Sequence, residues 1–159
     1  MTPERAPLLT LDDALARLIA GVSPMPTSEH ETLSTFDALG RVLQQDLRST
    51  IDVPPQDNSS MDGYAMRCAD VSKAGTVLPV SQRIPAGVVG ASLQPGTAAR
   101  IFTGAQVPAG ADAVVMQEQC EALSGGQGGG VRVNVMPAPG QWIRRRGEDV
   151  RSGEVVLPA

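Results

Sequence analysis

Punctuation constrains this chain more than any other feature. From residue 43 onward, short runs in which apolar and polar residues alternate are cut off by turn signals at Asp62-Gly63, Pro85-Ala86-Gly87, Pro95-Gly96 and Pro108-Ala109-Gly110. A period of two is the signature of a strand with one buried face. Leu43, Leu47, Ile51 and Val53 share one parity, which predicts a strand over that stretch. Further strands are predicted at Val77 to Gln82, Thr97 to Thr103, Ala113 to Glu118 and Val131 to Val135. No long helix follows any of them, so a βαβ dinucleotide fold is disfavoured. Many short strands between turns point instead to a β-sandwich or barrel-like lobe.

The N-terminus follows a different rule. Leu11, Leu15, Leu18, Ile19 and Val22 recur at helical spacing. Thr10-Leu11-Asp12-Asp13 resembles a capping box with Asp13 in the place of the usual Glu. Ser23-Pro24-Met25-Pro26 is expected to end that helix, because proline lacks a donor and restricts the residue before it. A shorter helix is expected over Thr35 to Leu39, stopped by Gly40. The fold class is therefore mainly β with N-terminal helices (α+β).

Composition excludes several functions. The chain has 159 residues, which fit one domain or two small ones. Its formal net charge of −4 lacks the footprint of nucleic-acid binding. The apolar runs are too short for a membrane span and no signal-peptide pattern is visible, so a soluble cytoplasmic protein is expected. Cys68 and Cys120 have no paired Cys or His spacing, which rules against a zinc site, and two buried thiols read better than a disulfide. His30 lies in the polar run Thr27 to Glu31, where a solvated loop or helix start outweighs catalysis. The glycine-rich segment 124–130 lacks the Gly-Lys-Ser/Thr ending of a phosphate loop and leads into an alternating strand, so it reads as a hairpin loop.

Three stretches could carry chemistry. Asp52 to Ala65 concentrates Asp52, Asp57 and Asp62 with Asn58, Ser59 and Ser60, an oxygen-rich set that suits magnesium. Read alone, the set favours turns, since Asp, Asn and Ser hydrogen-bond their own backbone. In Ala99 to Pro108, Thr103 is expected at a strand end, where its hydroxyl and the Gly104 N–H could meet an anion; a strand stop is again the plainer reading. Arg144-Arg145-Arg146 is followed by Glu148 and Asp149, and reads equally as an oxyanion cradle or as a solvated, charge-balanced edge.

Taken together and in order, these stretches resemble the N-terminal part of the molybdopterin molybdenumtransferase family, which includes the bacterial MoeA proteins and the E domain of gephyrin. The carrying motifs are Val53-Pro54-Pro55 with Asp57 through Ala65, Arg100 through Ala105 with Gly110 through Glu118, and Ile143 through Asp149. The resemblance covers nearly the whole chain. It implies insertion of molybdenum from molybdate into adenylylated molybdopterin, with release of AMP and with assistance from Mg2+. It also implies a homodimer, with the molybdopterin adenylyltransferase as a further partner and with neither nucleic acid nor membrane. Carried over by motif, Asp62, Thr103 and Asp149 are the catalytic residues of this region, and Asp62 is the candidate metal ligand. Two lobes are implied: residues 1–48 plus 143–159 for linking and dimerisation, and an inserted β lobe at 49–142. The chain stops where family members continue into a pterin-binding domain, so it is expected to fold but to be inactive alone, as a fragment or the product of a split gene. The competing reading is a non-catalytic dimerisation and scaffold module of the same family. A β-rich small-ligand module is a third, supported only by the acidic loop.

Overall fold

A computed structural model of the chain describes residues 8–23, 30–124 and 129–159. The chain divides into two compact units, Met1–Gln45 with Ala159, and Asp46–Pro158. In the first, helix α1 (Leu11–Ala20) starts as the sequence predicts. The Thr10 hydroxyl accepts from the Asp13 N–H at 3.1 Å, satisfying one of the donors that a helix start leaves open. The helix stops earlier than expected. Gly21 closes it, its N–H bonding the Arg17 carbonyl, so Val22 lies beyond the helix, and Pro24 and Pro26 fall outside the described residues. α1 buries none of its residues, and Leu11, Leu15, Leu18 and Ile19 stand exposed. The second predicted helix shrinks to one 3-10 turn, Thr35–Asp37, after Ser34.

Among the described residues the second unit holds ten strands: β1 (Leu47–Arg48), β2 (Asn58–Ser59), β3 (Gly63–Met66), β4 (Thr76–Ile84), β5 (Ala98–Ile101), β6 (Ala113–Met116), β7 (Cys120–Leu123), β8 (Gly130–Val133), β9 (Ile143–Arg144) and β10 (Val155–Leu157). Six of them form a curled half-barrel sheet in the order β6-β3-β5-β4-β8-β7. Its pairs are antiparallel except β4 with β5. Two ribbons, β1 with β10 and β2 with β9, complete the unit.

Two expectations are corrected here. The alternating stretch from Leu43 to Val53 supplies only the two residues of β1 and a bridge from Val53 to Val150, because it has no neighbouring strand along most of its length. Alternation gives a strand only where a partner takes the backbone groups. Asp62-Gly63 is not a hairpin turn. Gly63 opens β3, a fully buried strand between β6 and β5, and a β-carbon there would lie 2.0 Å from the Val115 carbonyl oxygen.

Successive side chains on a strand point to opposite faces, so the sheet has two cores. One gathers Tyr64, Met66, Leu78, Ala98, Val115, Val131 and Val133. The other gathers Ala65, Ile84, Ala99, Ile101 and Val114 beneath Leu93, Ala105 and Ile143. Leu78 and Ile84 have the same parity yet serve different cores, because a register shift between Val80 and Gln82 turns β4 over. Cys68 and Cys120 are free thiols, as expected, and each is half-buried. Burial, reinforced for Cys68 by Asp112, pushes both thiols up to about 11. Among the described residues no helix is long and apolar enough to cross a membrane. The hairpin reading of the glycine-rich segment falls partly outside the described residues, but β7 and β8 on either side of it do pair antiparallel.

Candidate functional site

Asp62 precedes β3 and Thr103 follows β5. The two strands run antiparallel with Gly63 opposite Ile101, so the end of one passes the start of the other. Asp62 Oδ1 accepts both the backbone N–H and the hydroxyl of Thr103, each at 2.8 Å. The main chain around the pair is pinned: the Gln117 N–H bonds the Asp62 carbonyl at 3.0 Å, and Arg100 donates to the Gly63 carbonyl at 2.9 Å. The Thr103 N–H first, then its hydroxyl, and more weakly the Arg100 charge, hold the Asp62 carboxyl below the usual carboxylate range. Asp62 is therefore ionised near neutral pH, and its Oδ2 takes none of the hydrogen bonds among the described residues. The Gly104 N–H bonds the Ser59 carbonyl at 2.8 Å, so it does not join Thr103 as an anion donor.

Asp149 sits elsewhere. It receives Arg144, whose pKa this pairing raises, and Glu148 lies 3.6 Å from the same guanidinium. Asp149 bonds neither Asp62 nor Thr103. The two places are linked through β2 and β9, where Asn58 faces Arg144, and through the Ser60 N–H on the Trp142 carbonyl at 2.9 Å.

The remaining arginines of the run settle the choice between cradle and balanced edge. Arg145 donates to Asp57 at 2.7 Å, and Arg146 donates its side chain to Asp52 at 2.6 Å and its N–H to Asp57 at 2.8 Å. Each guanidinium of the run is thus engaged by a carboxylate, which leaves no cradle. Gly147 makes the turn that spreads them: its φ of +68° favours glycine, and a β-carbon there would lie 3.1 Å from Arg151 Cγ. The Ser152 N–H, then Arg146, lower the Asp52 carboxyl. Burial pushes Asp57 up, but the Arg146 N–H and the Arg145 side chain pull it lower overall.

This pairing also answers the acidic loop. Asp52 and Asp57 are partners of the arginine run, while Asp62 belongs to Thr103. Among the described residues no group of three His, Cys, Asp or Glu could hold a metal ion. Asp62 offers one unengaged carboxylate oxygen, the kind of ligand that magnesium takes together with waters and substrate phosphates. Sequence reasoning overlooked Arg100 as a neighbour of Asp62, although its place at the opposite parity to the core residues Ala99 and Ile101 puts it on the sheet face of Tyr64.

Residues 9–159 match the family model described as "MoeA N-terminal region (domain I and II)". A molybdopterin molybdenumtransferase of Haemophilus influenzae is 39% identical over 150 residues, covering 94% of this chain and 36% of that protein. Molybdopterin molybdenumtransferase 2 of Mycobacterium tuberculosis is 45% identical over 131 residues, covering 79% of this chain and 31% of that protein. The crystal structure of a molybdopterin biosynthesis MoeA protein from Pyrococcus horikoshii OT3 superposes with a TM-score of 0.72 at 39% identity, covering 80% of this chain and 34% of that one. The chain spans about a third of the length of these relatives.

Proposed function

The chain belongs to the family of the MoeA N-terminal region, and from that premise we propose that it serves, within a complete protein, the insertion of molybdenum from molybdate into adenylylated molybdopterin with release of AMP. The observation that carries this reading is the Asp62–Thr103 pair. Two residues 41 apart in sequence, each in a different family motif, meet at one point through a charged carboxylate. The hydrogen bonds that keep Asp62 ionised also fix Oδ1, leaving Oδ2 to face a cationic or proton-bearing group of the substrate. Thr103 is oriented by the same bonds. Asp149 acts by holding Arg144 and is a positioning residue in this reading. Magnesium enters only as an ion whose ligands come mostly from elsewhere, and no step is assigned to it.

Asp62→Asn in the complete protein tests the charge separately from the fold. The amide oxygen still accepts both Thr103 donors, so stability is expected to change little while turnover falls at least tenfold, measured with adenylylated molybdopterin and molybdate. Equal rates would overturn the electrostatic role. The 159-residue chain alone is expected to show no insertion, and turnover by it would refute that.

The exposed apolar stripe of α1 supports a homodimer, and sedimentation or light scattering of the chain reads it directly. The β1–β10 pairing, which joins residues 47–48 to 155–157, supports a linking lobe at residues 1–48 plus 143–159 around an inserted lobe at 49–142. A cytoplasmic location and docking of the molybdopterin adenylyltransferase complete the proposal.

A further inference from the structure

Beside the Asp62–Thr103 pair, the sheet face that carries Tyr64 presents a row of charge. Tyr64 is the register partner of Arg100, and Arg100 is that of Arg83, so the three side chains lie abreast on β3, β5 and β4. The register shift in β4 produces this arrangement by turning Arg83 toward the same face. Phe102 lies between the arginines, with each guanidinium carbon 4.6 Å from its ring centroid, so the two charges are separated by at most twice that distance. The Arg100 guanidinium also lies 5.1 Å from the Tyr64 ring centroid.

Like charges facing one another across a sheet are destabilising, and cation–π contact acts against that without using the guanidinium donors. Other arginines on the β strands and in the 144–146 run meet a carboxylate: Arg132 has Glu121, and Arg144, Arg145 and Arg146 have Asp149, Asp57 and Asp52. Neither Arg83 nor Arg100 has such an ion pair among the described residues. Arg100 donates to the Gly63 carbonyl and to Gln117 Oε1, while the Arg83 side chain makes no hydrogen bond there, so its five donors are open. Both arginines border a cleft of about 470 Å³ that Tyr64, Ser81, Leu123 and Gly130 also line and that no carboxylate lines.

We propose that this cleft binds a phosphate-class tetrahedral dianion, held between the guanidinium of Arg83 and the remaining donors of Arg100. Guanidinium forks match such oxyanions in shape and charge, and no carboxylate lines the cleft to compete with a dianion for them. The dianion is a free oxyanion or the end of a phosphate monoester.

The test titrates inorganic phosphate, and separately AMP, into the 15N-labelled chain at constant ionic strength, following backbone amides and arginine side-chain signals. Saturable shifts are expected at Arg83, Arg100 and Phe102 with one or both probes. Arg83 is exposed, so Arg83→Gln is expected to fold and to weaken that binding at least tenfold. Lys73→Gln, which removes a cation elsewhere, is expected to leave it within twofold. Saturation by AMP with the same loss in Arg83→Gln assigns a phosphate ester, and saturation by phosphate alone assigns a free oxyanion. Saturation by neither, shifts spread over all surface cations, or equal affinity in Arg83→Gln overturns the proposal.

Discussion

The arginine run at 144–146 and the arginine pair at 83 and 100 carry the same kind of charge in opposite surroundings. The run is conspicuous in the sequence, yet its guanidiniums are taken by Asp149, Asp57 and Asp52 from within the chain. The pair is 17 residues apart in sequence and unremarked there, yet β4 and β5 bring it abreast with an aromatic ring as the shared counter-group. A carboxylate neutralises a guanidinium and uses its donors, whereas a ring attracts the charge and leaves the donors open. The difference teaches that adjacency in sequence is a poor guide to which cations can receive a ligand. The run joins the ends of its own unit; the pair faces a cleft.

The largest effect is expected where the pair's platform is tightest. Gly63 opens β3 against β6, and an added β-carbon would lie 2.0 Å from the Val115 carbonyl oxygen and 2.9 Å from its carbon, both backbone atoms that cannot rotate away. Gly63→Ala is expected to destabilise the chain by about 3 kcal/mol or more, the upper end of overpacking costs. Urea denaturation measures it, and a loss below about 1 kcal/mol would mean that β3 and β6 are not held this close.

Acid is expected to act on the run through its carboxylates. Asp52 and Asp57 have folded pKa values below their ordinary 3.8, so the unfolded chain takes up protons first as pH falls. Their contribution to stability is complete above about 3.8 and is lost as pH drops through the folded values. The urea midpoint should therefore fall between pH 5 and pH 2, and Asp57→Asn should make that fall shallower. At neutral pH the same substitution is expected to cost about 0.5–1 kcal/mol, since its partner Arg145 is well exposed. Parallel pH profiles for the two proteins would remove the run's carboxylates from the account.

How much of this was legible depends on range. The helix start at Thr10 was readable because a cap is a contact between residues three apart. β4 and β8 were readable because they alternate, and β5 and β6 because each is a short, largely apolar run that follows a Pro-Gly or Pro-Ala-Gly turn signal. β3 was hidden: it is buried on both faces, so it does not alternate, and its opening Asp-Gly imitates a turn. Motif resemblance pointed to Asp62, Thr103 and Asp149, and the first two do meet. Nothing local could show that Asp52 and Asp57 serve the arginines, since those partners lie 88 to 94 residues away. The register shift that places Arg83 beside Arg100 leaves no mark in the periodicity either.

The smallest effect is the one that separates the two surroundings most cleanly, because it has a sign. In phosphate-free buffer of low ionic strength, Arg83→Gln removes one member of a like-charge row and also one cation–π contact. The first change stabilises and the second destabilises, each by less than about 1 kcal/mol, so the net change is expected to be within about 0.5 kcal/mol and to shift toward destabilisation as salt rises. Repulsion between exposed charges is screened over roughly 10 Å at 0.1 M salt, whereas the ring contact is less affected. Arg145→Gln should behave in the reverse way. It breaks an attractive pair with Asp57, so it destabilises most at low salt and less as salt rises. Urea midpoints of the two variants across a sodium chloride series measure both slopes. Opposite slopes support a pair with no ion-paired carboxylate among the described residues beside a run that has three, and parallel slopes would erase the distinction.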